Sequence, residues 1–199
     1  MLSLPTITFV IVENRFPEQV KTICNYIRKN VHHAKISVKD DLPLENSKKI
    51  YDEFCSQKLH SLFVTPHAIV FQLDGYPIHW SSWDDSFLKY DYIGAPWPDT
   101  LAPSHCRVGN GGFSLRSRRL CQALALETWV PLPDDVFICQ HAYNKMVELG
   151  MRYAPPTVAA RFSIEHNVPE ENLRPFGFHD LRIHPNYSLN RLIDFKDAS

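Results

Sequence analysis

Four side chains, far apart along the chain, are the ones best suited to chemistry: Asp74, the neighbours Asp134 and Asp135, and His179. Asp74 has the most informative context. The apolar run Ala68-Ile69-Val70-Phe71 stops abruptly at Gln72-Leu73-Asp74-Gly75. A buried strand that ends in a carboxylate and a glycine sets one anionic group at the carboxyl edge of a sheet, where open α/β sheets bind their ligands. Hard divalent cations take oxygen ligands, so Asp74 is the first metal candidate, with Gln72 adding an amide oxygen or touching a base or ribose. The plainer role for Asp74 is to cap a turn beside Gly75. Downstream, Gly109-Asn110-Gly111-Gly112 lets backbone approach a ligand closely, because glycine has no Cβ in the way. An acid ready for a metal and a close-approach glycine loop suggest a nucleotide-sugar site.

Transfer of a sugar from a nucleoside diphosphate needs four things: a cation to neutralise the leaving diphosphate, a base for the acceptor hydroxyl, backbone close to the sugar, and a holder for the nucleoside. Asp134 and Asp135 follow Pro133 at the start of a helical pattern, where acids either face a cleft or simply cap the helix. His179 lies between Phe178 and Asp180, and histidine serves as metal ligand and proton carrier. Arg116 suits bidentate pairing with a diphosphate, or a surface ion pair. Trp80, Trp83 and Trp97 are sugar platforms or core residues, with core the default. Glu165 has no role that spacing assigns.

The elements that would position these groups alternate between strand and helix. Thr6 to Val12 reads as a buried first strand, and Val12, Glu13 and Asn14 at its end are expected to receive the nucleoside. Pro17 to Asn30 has helical spacing with proline in the first turn. Ala34–Val38 is a strand, Asp40–Pro43 a loop, Asn46–Gln57 a helix, Ser61–Thr65 a brief extension of it, and Ala68–Phe71 the next strand. This order implies βαβ units and a largely parallel sheet. Further on come a short helical turn at Trp83–Leu88, strands at Tyr92–Ala95 and Gly112–Leu115, and helices at Ser117–Leu126 and Val136–Glu148, the last stopped by Gly150. Tyr153–Ala160 reads as a strand leading to Phe162–Glu165. Pro175–His179 is turn-rich, and the chain beyond Asp180 is expected to wrap the domain or fray.

Composition narrows the function classes. The 199 residues fit one domain, and 44% hydrophobic with 12% aromatic residues is ample for a core. A net charge of −1 argues against a general nucleic-acid binder, although Arg116, Arg118 and Arg119 leave room for a local basic patch. Seven glycines against fifteen prolines suggest stiff connections. The five cysteines have no CxxC spacing and read as reduced thiols. No apolar run approaches the ~20 residues that span a bilayer, and no signal peptide is apparent. A cytoplasmic location is the expectation, with peripheral membrane association left open and oligomeric state unreadable.

The order QLDG, WDDSFLKYDYIGAPW, RVGNGGFSLRSR, PDDVFIC, ARFSIE and PFGFH resembles a bacterial and viral domain family of GT-A-type glycosyltransferases, formerly a domain of unknown function. The resemblance runs from about Ile69 to His179; the N-terminal part matches only as a generic Rossmann-like half. It implies a single GT-A-like α/β domain over 1–199, a mixed and mainly parallel sheet flanked by helices. Residues 1–75 would form the nucleotide-binding half, 76–180 the acceptor and catalytic half, and 181–199 a tail. The family's DxD-type motif corresponds to Gln72-Leu73-Asp74, which keeps only the last acid. Gly111-Gly112 corresponds to the loop lying against donor and acceptor, with Trp97, Asn110 and Phe113 on the acceptor side. Asp134-Asp135 corresponds to the acidic pair whose second member is the base in inverting relatives, which points to Asp135. His179 corresponds to the late histidine that completes the metal site. Implied cofactors are Mn²⁺ or Mg²⁺; implied partners are a nucleotide-sugar donor and a glycan or other hydroxyl acceptor in cell-surface or viral polysaccharide synthesis. The rival reading is a binding module derived from a transferase that holds sugar nucleotide or glycan without turnover. A nucleotidyltransferase is disfavoured, because the sequence has neither GxxxxGK[ST] nor GxGxxG after the first strand.

Overall fold

The computed structural model describes residues 1–44, 47–100, 105–166 and 174–188. Its centre is a five-stranded mixed sheet. In chain order the strands are β1 (Ile7–Val12), β2 (Lys35–Lys39), β3 (His67–Phe71), β4 (Tyr92–Ile93) and β5 (Phe113–Ser117), and across the sheet they lie in the order β2-β1-β3-β5-β4. β1 is parallel to β2 and β3, whereas β5 is antiparallel to both β3 and β4. Both expected halves therefore contribute strands to one sheet.

All six residues of β1 are buried, which explains a continuous β-branched run in place of polar alternation. The two-residue period of a strand sorts its side chains onto two faces. Ile7, Phe9 and Ile11 join Ile69 and Phe71 under α1 (Pro17–Asn30), which adds Val20, Ile23, Cys24 and Ile27. Val10 and Val12 join Ala68 and Val70 on the other face, against Phe54, Cys55 and Leu59 from α2 (Lys48–Gln57) and the turn that follows it. Ser47 caps α2 by accepting a hydrogen bond from the Ile50 N–H at 3.3 Å; Asn46, read as the start of this helix, is outside the described residues. Beyond α2 the chain makes a short 3-10 turn, Leu59–Leu62.

The sheet direction decides where the site forms. β5 runs opposite to β1 and β3, so its amino end shares an edge with their carboxyl ends. Phe71, the last residue of β3, pairs with Phe113, the first of β5. Gln72 to Asp74 and Gly111-Gly112 therefore leave the sheet side by side.

The second half departs more from expectation. α3 (Arg118–Leu124) is shorter than read. The expected helix Val136–Glu148 is broken into α4 (Asp134–Val136), a wide π-type turn at Phe137–His141, and α5 (Tyr143–Glu148). The strand read at Tyr153–Ala160 is corrected: Pro156–Phe162 is a helix, α6, with proline in its first turn. Proline's fixed φ suits a helix start and it has no N–H to give a sheet, while Ala159 and Ala160 propagate helix well. Only Tyr153 keeps a strand-like bridge, to Tyr92. Past Asp180 the chain wraps instead of fraying as far as it is described: the Tyr76 hydroxyl donates to the Tyr187 carbonyl at 2.7 Å. Residues 189–199 are outside the described part. Among the described residues, no helix is long and apolar enough to cross a membrane.

Candidate active site

A cleft of about 690 Å³ opens at the shared strand edge. Of the residues singled out by sequence, Val12, Glu13, Gln72, Leu73, Asp74, Gly111, Gly112, Asp134, Asp135 and His179 line it. Strand ends bring Glu13 and Asp74; the β5 entry loop brings the glycines; the start of α4 brings the acid pair.

One wall is built around an imidazole. His179 Nδ1 lies 2.8 Å from Glu165 Oε1, and Nε2 lies 3.2 Å from Gln72 Oε1 and 3.7 Å from Asp74 Oδ1. Burial opposes the charge on His179, but the bond and charge of Glu165 outweigh it, and the pKa moves up. Two glycines make the fit possible. A Cβ on Gly112 would lie 2.2 Å from His179 Nε2, and one on Gly75 would lie 2.8 Å from its Cδ2. The backbone ties the same region together, since the Asp180 N–H donates to the Asp74 carbonyl at 2.9 Å.

This wall fits a divalent cation in part. Among the described residues no three His, Cys, Asp or Glu side chains surround a single point. Asp74, the Gln72 amide oxygen and His179 Nε2 do converge, and Glu165 on the far nitrogen is the carboxylate that typically orients a metal-binding histidine. A cation of the Mg²⁺ type, which keeps water and takes substrate phosphate oxygens beside one or two carboxylates, matches such an incomplete set.

The facing wall is acidic and already closed on itself. Arg116 is wholly buried and pairs with Asp134 at 2.6 Å. It also donates to Ser114 Oγ at 3.0 Å and to the Cys55 carbonyl at 3.2 Å. Burial works against the guanidinium charge, yet Asp134 reverses that effect and raises its pKa. Gly111 sits where a Cβ would come 2.1 Å from Asp134 Oδ1. Asp135 accepts from the Asn110 N–H at 3.0 Å and the Val136 N–H at 2.9 Å. Burial first, then the charge of Asp134, push its pKa up to about 6. Asp52 on α2 accepts from the Asp134 N–H at 3.3 Å, and the same two causes raise it to about 6. A carboxylate tuned to that range is suited to take a proton near neutral pH.

Several expected positions lie outside the cleft and are corrected. Arg116, expected to face a diphosphate, is wholly buried outside the cleft lining and is the internal counter-ion of Asp134. Trp97 is core, packed where any Cβ on Gly109 would collide with its ring. Phe113 is fully buried and stacks on Phe162 at 5.0 Å. Asn110 is buried in a left-handed conformation with φ of 77°, its Oδ1 accepting from the Gly112 and Phe113 N–H groups; it shapes the glycine loop. Asn14 turns away to donate to the Leu42 carbonyl.

Other lining residues either went unmentioned or, like Glu165, received no role from sequence. Glu165 and Asp52 have no local signature, because their partners lie far along the chain. Tyr51, half-buried, accepts from the Gln72 amide at 2.7 Å. Arg15 and Lys48 also line the cleft. Arg15 pairs with Glu13 at 2.6 Å, and although burial would raise the Glu13 pKa, these Arg15 bonds lower it overall.

No curated protein matches this chain. Two solved structures that resemble it are distant. One is a glycosyltransferase involved in the glycosylation of the major capsid of PBCV-1, 12% identical, covering 86% of this chain and 94% of that one at a TM-score of 0.49. The other is A197 from STIV, 13% identical, covering 77% and 80% at 0.43. In sequence, a family model described as "Protein of unknown function (DUF5672)" matches residues 33–179. That match spans most of the chain, from β2 through the imidazole wall, and the chain belongs to this family.

Proposed function

We propose that this protein is a metal-dependent, GT-A-like glycosyltransferase that moves a sugar from a nucleotide-sugar donor to a hydroxyl acceptor. The observation that carries the reading is one shared cleft lined by Asp74, Asp135, His179 and the bare Gly111-Gly112 backbone. Asp74 and His179, with Gln72, would hold Mn²⁺ or Mg²⁺. When bound, that cation would supply neutralisation of charge developing on the leaving diphosphate. Asp135 would take the acceptor hydroxyl proton as the acceptor oxygen attacks the anomeric carbon and the bond to the diphosphate breaks, inverting the centre. Asp134, held by Arg116, keeps the start of α4 in place. The strand end at Val12 and Glu13, with Tyr51, would receive the nucleoside. Product stereochemistry by NMR tests this: inversion is expected, and retention would remove Asp135 as a simple base.

A second reading has its own support. Only Asp74 carries an acid in the Gln72-Leu73-Asp74 triplet, which suits a module that binds sugar nucleotide without turnover. A thermal-shift screen of nucleotide sugars with and without Mn²⁺ detects binding in either case. Metal-dependent release of nucleoside diphosphate separates the two, being expected of the enzyme and absent from the module.

A further inference from the structure

The opposite edge of the sheet carries a second hollow of about 580 Å³, unconnected with the chemistry above. It lies at the amino end of β3 and the carboxyl end of β5, where His67 pairs with Ser117. The five residues of β3 set it roughly 16 Å from the cleft edge. Four cations line it: Lys89, Arg118, Arg119 and Arg152. Its carboxylate, Asp91, is buried and already engaged by Arg119, the Ser117 hydroxyl and the Arg152 N–H. Among the described residues, Lys89, Arg118 and Arg152 form no ion pair; Arg118 donates instead to the carbonyls of His60 and Phe63. A chain with net charge −1 therefore concentrates unneutralised positive charge in one place.

Aliphatic side chains flank that charge. Val64, next to the Phe63 carbonyl that Arg118 holds, is 88% exposed. Leu149, next to the Gly150 carbonyl that accepts from Arg119 at 3.1 Å, is 54% exposed. Cations between outward-facing aliphatics match the chemistry of an anionic bilayer surface, where headgroup phosphates meet the first methylenes. Tyr90 and His67 also line the hollow, but both rings are half-buried, whereas nucleic-acid bases stack on open aromatic faces.

We propose that this edge is a docking surface for anionic lipid membranes, with headgroup phosphates in the hollow and Val64 and Leu149 dipping between them. Docked this way, the protein turns its catalytic edge away from the surface that holds it. Attraction between partly exposed charges is screened by salt, so binding should weaken steeply as salt rises.

The test is flotation of the full chain with vesicles of phosphatidylcholine alone or with phosphatidylserine, at low and physiological salt, with inorganic phosphate as competitor. Co-flotation confined to the anionic vesicles is expected, weakening with salt. Lys89→Glu combined with Arg152→Glu changes exposed side chains and should reduce it at least tenfold with Tm and donor hydrolysis unchanged; Val64→Asp should weaken it independently. Equal binding to neutral vesicles, no binding to either, full retention by the charge-reversed variant, or abolition by millimolar phosphate at constant ionic strength would overturn the proposal.

Discussion

The two walls of the cleft are built from the same kinds of residue and held in opposite ways. The acidic wall is finished without a ligand: Asp134 is matched by a buried arginine, and the backbone holds Asp135 at two N–H groups. The imidazole wall is open. Asp74 has a side chain 48% exposed, and its contact to His179 Nε2 is 3.7 Å, too long for a hydrogen bond. Rigid charge belongs where a proton must be taken at a fixed point. An unfinished, partly exposed set of oxygens belongs where a cation and its phosphates arrive together. On the proposed reading catalysis belongs to one wall and ligand capture to the other, and that division can be attacked from both sides.

The largest effect should come from Arg116→Met. Removing one partner of a buried ion pair leaves an uncompensated charge and costs about 3–5 kcal/mol. Urea unfolding should show that loss, and adding Asp134→Leu should recover much of it, because the pair is coupled. A loss below 1 kcal/mol would mean that the acidic wall is not held this way.

Asp135→Asn should cut turnover about 10²–10⁴-fold, the usual worth of a positioned base, and yet stabilise the fold. A carboxyl whose folded pKa is raised from 3.8 to about 6 makes the native state bind more protons than the unfolded chain. Wild-type stability therefore falls as pH rises through that window. The variant should melt a few degrees higher at pH 7.5, and the gap should close below pH 4. Wild-type kcat/KM should rise along a limb near pH 6, shared with Asp52, whose titration is linked to the same acids. Near-normal turnover in the folded variant would exclude Asp135 as the base.

Gly112→Ala strikes the other wall. Its Cβ would lie 2.2 Å from His179 Nε2, so the imidazole must move. Overpacking of this kind costs about 1–3 kcal/mol, and the Tm increase produced by Mn²⁺ with donor should disappear. An unchanged increase would show that His179 takes no part in capture.

These contrasts explain what the sequence made legible. Strand ends and glycine loops are local signals: Phe71 giving way to Gln72-Leu73-Asp74, or Gly111-Gly112, can be read in a few residues. So can α1, matched over Pro17–Asn30 because proline, apolar period and closing polar residues agree. Partnerships between distant segments are not local. Nothing around Arg116 distinguishes a diphosphate ligand from the counter-ion of Asp134, eighteen positions on, and Glu165 gains meaning only when α6 delivers it to His179. Trp97 and Phe113 illustrate the same limit, since an aromatic side chain looks alike in a core and on a sugar platform. The Tyr153–Ala160 segment is a different failure: the helix start that Pro155-Pro156 offers is a local signal that the strand reading did not use.

The gentlest perturbation is Glu165→Gln, and it bears on whether the open wall is tuned or merely accidental. The raised pKa of His179 survives burial mainly because Glu165 bonds to Nδ1 and lends its charge, with Asp74 and Asp180 adding to it. Glutamine can keep a hydrogen bond but not the charge, so the imidazole should titrate at lower pH in NMR spectra. The sign for stability follows. The charged pair stabilises the native state fully below the unfolded histidine pKa of about 6.5, and that contribution fades as pH rises through the higher folded value. The variant should therefore lose stability at pH 5.5 and little at pH 9. Above the folded pKa, where Nε2 is free to bind metal, the orienting carboxylate should still matter: Mn²⁺ affinity should fall about 10–100-fold, the usual cost of removing such a partner. A lowered His179 pKa with metal affinity unchanged would leave the Glu165–His179 pair a structural ion pair and move the cation, if one binds, to oxygens alone.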